Sequence, residues 1–225
     1  MKFTFGIITS GLEPNNIKLI HHSIMAQNID DEFEIIVVGG QNPHLEMVRH
    51  IEFDESIKRA WITRKKNLIV EEAKYENICL MHDYVFLYKD WYKEFKEFGE
   101  DWEVCMNSIL NRDGDRFRDW VTWGEWCAEN NIVFLDYADQ SRTEQMYVSG
   151  TYFCVKKKFM LDNPLDERRC WGQSEDVEWC DRLREKWNYR CNAASKVGLL
   201  KQKTNDHWGH EVNRKMREKW KKGER

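Results

Sequence analysis

The chain is 225 residues long and carries 35 Lys and Arg against 39 Asp and Glu, a formal net charge of −4. This length supports one domain with a sizeable core, and the balanced charge excludes a general nucleic-acid binder. Seven scattered cysteines with no C-x-x-C pair exclude a zinc knuckle or a disulfide framework. With no leader-like apolar stretch at the N-terminus and no run of membrane-span length, the expectation is a cytoplasmic protein with reduced thiols.

Lys2–Thr9 reads as a buried first strand, ending in the turn-prone Ser10-Gly11 and Pro14-Asn15-Asn16. Asn16–Gln27 follows as a helix, with Ile17, Ile20, Ile24 and Met25 on one face. Glu34–Val38 is a short, mostly apolar strand closed by Gly39-Gly40, a pattern that suits a parallel strand covered on both sides. Lys65–Lys74 is a helix, and Asn77–Leu87 holds a third core strand, Ile78–Met81, that runs into His82-Asp83-Tyr84. Asp90–Phe98 is helical and Glu103–Ile109 is another strand. The alternation predicts an α/β domain with a largely parallel sheet.

The second half is less regular. Asn111–Gln145 is polar and rich in Trp, with a strand only at Ile132–Leu135. Tyr147–Val155 reads as a strand interrupted by Ser149-Gly150. Trp171-Gly172 then leads into Glu175-Asp176 and a helix with Val177, Cys180, Leu183 and Trp187 on its apolar face. Ser174 is placed to cap that helix. Tyr189–Leu200 closes the core, and Asp206–His210 precedes a charged helix. No internal repeat or Pro-rich linker divides the chain, so 1–225 is expected to be one domain, with halves 1–110 and 111–210 and a charged helix over 211–225. The basic run Arg214–Arg225 reads as a solvated helix, or as a weak peripheral contact with an anionic membrane.

Several residues in this pattern carry chemistry. Ligands of open α/β sheets bind beyond the carboxyl ends of the strands. Asp83 is expected there, where a carboxylate holds a hard divalent cation such as Mg²⁺ or, with His82 as a nitrogen donor, Mn²⁺. Its plain alternative is a turn-capping Asp. His207 and His210 are further metal-ligand candidates, or ordinary surface histidines. Arg64-Lys65-Lys66-Asn67 opens a helix and makes a candidate phosphate site, or a solvated basic turn. Gly150 allows a close backbone approach or marks a bulge. Glu175 and Asp176 fall in a first helical turn, where the dipole favours carboxylates; they either stabilise the helix or take a proton from a bound hydroxyl.

Taken in order, these elements resemble the GT-A glycosyltransferases, in particular the family 2 type, over about residues 2–210. Arg64–Leu87 is similar to that family's Arg-Asn helix and Asp-x-Asp strand end. Trp171–Leu183 resembles its Trp-Gly-x-x-Glu-Asp helix, and also that of the β-1,4-galactosyltransferases and polypeptide N-acetylgalactosaminyltransferases. The resemblance implies a GT-A, Rossmann-like fold: a mixed, mostly parallel sheet flanked by helices. It implies an inverting transfer from a nucleotide-sugar donor, UDP-sugar favoured, to a glycan or other hydroxyl acceptor. Thr9, Ser10, Gly39, Arg64, Asn67, His82 and Asp83 would meet the donor. Gly150, Trp171 and Gly172 would meet the acceptor, with the Trp-rich 111–145 segment shaping its site. Asp176 would be the base with Glu175 beside it, and Mn²⁺ or Mg²⁺ would be held by Asp83 with His207 or His210. Two departures stand out. Gly39-Gly40 replaces the acid usual at the second strand end, and His82-Asp83-Tyr84 replaces Asp-x-Asp. A nucleotidyltransferase is a rival reading, but it needs a Gly-rich basic loop where Leu12-Glu13 stands. A non-catalytic nucleotide- or sugar-binding protein of the same fold is another.

Overall fold

Continuous apolar runs build the centre of the sheet. The computed structural model describes residues 1–122 and 132–203. In its first half lie β1 (Phe3–Ile8), α1 (Pro14–Met25), β2 (Phe33–Val38), β3 (Val48–Ile51), α2 (Ile62–Glu72), β4 (Asn77–His82), β5 (Val85–Leu87), α3 (Trp91–Phe98) and β6 (Val104–Leu110). Then come β7 (Val121–Thr122), β8 (Val133–Phe134), β9 (Tyr152–Lys156), α4 (Lys157–Asp162), α5 (Glu175–Leu183) and β10 (Tyr189–Leu199). Among the described residues eight strands form one sheet in the order β3-β2-β1-β4-β9-β6-β10-β5, so both halves of the chain share it.

The pairings are mixed. β1 runs parallel to β2 and β4, β2 to β3, and β6 to β10. β9 is antiparallel to both β4 and β6, and β5 to β10. Every residue of β1 is buried, as expected of a strand with helices on both faces. On one face Phe3 packs edge-on against Trp91 of α3, with ring centroids 5.1 Å apart. On the other, α2 comes so close to β1 that a Cβ on Gly6 would lie 2.4 Å from Ile69 Cγ2.

The structure moves some expected boundaries. The first helix begins at Pro14, because proline suits a first helical turn where no N–H partner is needed. β3 is an edge strand whose Val48-Arg49-His50-Ile51 has polar residues at its centre, so it lacks the continuous apolar run of its neighbours. The run expected as a strand from Tyr147 is a loop up to Thr151; the ladder begins at Tyr152, opposite Met81. No helix among the described residues is long and apolar enough to cross a membrane. The charged helix over 211–225 and its membrane contact lie outside the described residues.

Candidate active site

Because β1, β2 and β4 are parallel, the residues just past their carboxyl ends meet on one edge. Thr9 N–H donates to Val38 O (3.1 Å) and Asp83 N–H to Ile8 O (3.1 Å), so both side chains are placed by the sheet. The Thr9 hydroxyl donates to Asp83 Oδ2 at 2.6 Å and accepts from Gly11 N–H at 2.9 Å. Gly39 has φ of +89°, and a Cβ there would lie 2.5 Å from Thr9 O and 2.8 Å from Lys65 Nζ. Only glycine lets the chain turn at this point with α2's Lys65 beside it. Lys65 Nζ donates to Thr9 O at 2.6 Å and is ion-paired with Glu55.

A cleft of about 550 Å³ opens over this edge, lined among others by Thr9, Ser10, Arg59, Lys65, His82, Asp83, Tyr84, Trp171, Lys201 and Lys203. His82 stacks on Tyr84, with ring centroids 5.2 Å apart. Burial, and then the charges of Lys66, Lys203, Lys201 and Lys65, hold its imidazole well below the usual range, so it is neutral at pH 7. β10 ends beside Tyr84, where Leu200 N–H donates to Tyr84 O at 2.9 Å. That contact delivers the two lysines that follow. Lys203 Nζ donates to Thr151 Oγ1 (2.9 Å) and Tyr84 OH (3.2 Å), and Lys201 Nζ lies 3.7 Å from the centre of the Tyr84 ring. Burial, and then the nearby Lys201 and Arg118, push the Lys203 ammonium down to about 8.

The acidic helix reaches the same edge through one peptide. Gly150 N–H donates to Asp176 Oδ2 at 2.8 Å, and Gly150 O accepts from Lys66 Nζ at 2.7 Å. A Cβ on Gly150 would lie 2.8 Å from Asp176 Oδ2 and 2.9 Å from Glu175 Oε1, so the close approach requires glycine. Lys66 is only 1% exposed and its Nζ is 3.9 Å from the buried Glu175 carboxylate. Burial, and then the charge of Asp176, push Glu175 up to about 7, with Lys66 acting in the opposite sense. Burial lowers the Lys66 ammonium in turn.

Of the expected site residues, Thr9, Ser10, His82, Asp83 and Trp171 line the cleft together. Arg64 and Asn67 do not line it. Arg64 pairs with Glu71 (2.6 Å) and Glu167 (3.1 Å), while Asn67 exchanges hydrogen bonds with the Leu165 backbone. These two side chains tie α2 to the segment before α5, and the cleft receives the neighbouring Lys65 instead. Gly39, Gly150, Gly172, Glu175 and Asp176 lie outside the lining; Gly39 and Gly150 act through the backbone contacts above. Ser174 makes no side-chain cap and has φ of +51°, since the chain turns into α5 through a left-handed residue. The buried apolar face of α5 is Trp179, Cys180 and Leu183, with Val177 only partly buried. His207 and His210 fall outside the described residues. Lys201 and Lys203 carried no sequence signal: they follow a core strand, and only the antiparallel β5–β10 pairing brings them to Tyr84.

These described residues do not make a divalent-cation site. No group of three His, Cys, Asp or Glu among them is placed to hold a metal ion. Even on a diphosphate, such a cation takes one or two protein carboxylates, with phosphate oxygens and waters completing its shell, and a surrounding excess of cations opposes it. Here Glu55 is taken by Lys65, which leaves Asp83 as the one carboxylate in a lysine-lined cleft.

No family model matches the chain, and no curated protein matches its sequence. Solved structures do match in shape. S. aureus TarS, residues 1–349, gives a TM-score of 0.62 at 13% identity, over 88% of this chain and 60% of that one. Its complex with UDP-GlcNAc gives 0.62 at 14% identity, over 91% and 60%. GalNAc-T7, solved with UDP, GalNAc and Mn²⁺, gives 0.65 at 13% identity, over 91% of this chain and 45% of that one. The chain thus spans roughly half the length of the structures it matches. Both of those proteins are GT-A glycosyltransferases, and the strand order, the parallel β1–β2–β4 edge and the helices on both faces show that this chain has the GT-A fold.

Proposed function

We propose that this protein is an inverting glycosyltransferase that moves a sugar from a UDP-sugar to a hydroxyl acceptor such as a glycan. One observation carries the reading: the strand-end cleft at Thr9 and Asp83 meets the Asp176 carboxylate through the single dipeptide Gly150-Thr151. Thr151 O accepts from His82 N–H at 3.1 Å, so the donor edge and the acidic helix share one piece of backbone. The GT-A fold, and matched structures solved with UDP and UDP-GlcNAc, support the same reading.

In this reading the nucleotide lies over Thr9, Ser10 and the Gly39-Gly40 turn. Trp171, 56% exposed on the rim, offers a ring face to a sugar, Gly172 beside it leaves open space for the acceptor, and Gly150 serves through its N–H to Asp176. Asp176 is held by Gly150 N–H and takes the acceptor's proton as its oxygen attacks the anomeric carbon. Glu175, largely buried beside Lys66, orients the first turn of α5. Mn²⁺ or Mg²⁺ at Asp83, completed by His207 or His210, is what the family resemblance would add, as a Lewis acid on the diphosphate. The described donor set, one carboxylate among lysines, does not favour such an ion.

The test is release of UDP from UDP-sugars with a panel of hydroxyl acceptors. Asp176→Asn should keep UDP binding and lose about 10²- to 10⁴-fold in transfer rate, the scale of general-base loss. A near-wild-type rate for that variant, or no UDP release from any UDP-sugar, would sink the reading.

A further inference from the structure

We propose that the donor diphosphate is held by the ammonium groups of Lys203 and Lys201, with Arg59 on the same cleft, in place of a divalent cation. The inference rests on the glycosyltransferase reading and specifies how its leaving group is bound. Four cations line the cleft, Arg59, Lys65, Lys201 and Lys203, against the carboxylates of Glu55 and Asp83. Lys65 and Glu55 neutralise each other. Three cations therefore face one carboxylate. Neither Lys201 nor Lys203 is ion-paired among the described residues; they touch a hydroxyl, a phenol and aromatic ring faces, and Asp176 acts on Lys203 only from beyond contact. Lys203 is partly withdrawn from water without an ion pair, a cost that a bound polyanion relieves, and Lys201 reaches the same cleft from the solvent side. With the diphosphate bound, this positive excess already offsets the ligand's negative charge, so no divalent cation is needed to neutralise it.

The chemistry balances without a metal. The acceptor oxygen forms a bond to the anomeric carbon, and the bond from that carbon to the terminal phosphate oxygen breaks. The electron pair goes to the phosphate oxygen and the acceptor proton to Asp176. UDP leaves with one more negative charge than it carried in the donor, and charge-assisted N–H···O bonds from the lysines strengthen as that charge develops. Asp83 keeps its contact with the Thr9 hydroxyl. Its role is to position Thr9.

Calorimetric titration of UDP into the full chain, with EDTA and separately with Mn²⁺, tests this. The wild type should bind in EDTA within about threefold of its affinity in Mn²⁺, since the lysines supply the counter-charge. Lys203→Met and Lys201→Met should each weaken binding by about 10- to 100-fold in both buffers, the scale of a lost hydrogen bond to a charged group. Lys201 is exposed, so its variant folds even if the half-buried Lys203→Met does not. Asp83→Asn should strengthen UDP binding in both buffers, since it removes a negative charge from the cleft while its amide oxygen still accepts from Thr9, whereas loss of a metal ligand weakens binding. Binding that needs Mn²⁺, or wild-type affinity in both lysine variants, overturns the inference and leaves the glycosyltransferase reading standing. Absence of UDP binding in both buffers overturns both.

Discussion

Glu175 shows how one residue's surroundings set a property that its type does not. Its carboxyl is raised from an ordinary 4.5 to about 7, first by burial and then by Asp176. An acid with a raised folded-state value stabilises the fold fully below its unfolded value. That contribution is lost as the pH rises through the folded value. Stability should therefore fall between pH 4.5 and about 7. The full loss is on the order of 3 kcal/mol, at 1.4 kcal/mol per unit. Glu175→Gln cannot ionise and should flatten that slope. Urea midpoints measured across this range decide the matter, and an equal slope in wild type and variant would show that Glu175 is not the group responsible. Asp176, one residue on, is instead bonded by the Gly150 amide, and Lys66 grips the carbonyl of the same glycine. Both carboxylates reach Gly150, but Glu175 is buried there beside Lys66 while Asp176 is only partly buried and takes the Gly150 N–H.

Among the elements, the contact between α2 and β1 does most to place the site. Gly6 lets α2 approach, and Lys65 and Lys66 ride on that helix into the cleft and under Gly150. Gly6→Ala would put a methyl 2.4 Å from Ile69 Cγ2, a methyl on a β-branched side chain with little freedom to rotate away. The helix must then shift, at about 1–3 kcal/mol. For a chain of this size that lowers Tm by roughly 2–12 °C. UDP affinity should fall with it, because both lysines move. Adding Ile69→Ala should recover part of the loss, and a single variant with unchanged Tm and affinity would show that α2 does not depend on this contact. α5 is fixed independently: Trp179 is fully buried against Phe153 and its indole N–H donates to Asn163 O at 2.6 Å.

At the scale of the molecule, the fold was legible where the physics is local. β2 and β4 hold the apolar runs Ile35–Val38 and Ile78–Met81, β1 is mostly apolar, and α1 repeats at helical spacing, so half of the sheet and its order of appearance followed from pattern. Thr9, Asp83 and the acidic first turn of α5 were legible too, since strand ends and helix starts are marked by residue type. What escaped depends on pairing between distant segments. No sequence rule puts Lys201 and Lys203 against Tyr84, because that contact needs β10 to lie antiparallel to β5. Nor does Arg64-Lys65-Lys66-Asn67 disclose which of its four side chains meets the cleft, which the phase of α2 decides. Burial in turn sorts the lysines of the site by chemical reactivity. Lys65 and Lys66 are 3% and 1% exposed, closed to a reagent in solution. Lys203 borders the open cleft and at a pH of about 8 is half uncharged amine, whereas an ordinary lysine remains protonated. A brief treatment with an acylating ester at that pH, mapped by mass spectrometry of peptides, should mark Lys203 ahead of most surface lysines and leave Lys65 and Lys66 untouched. UDP should shield Lys203 and Lys201 alone, so the protein's nucleophiles would report, without any sugar transferred, where its ligand lies.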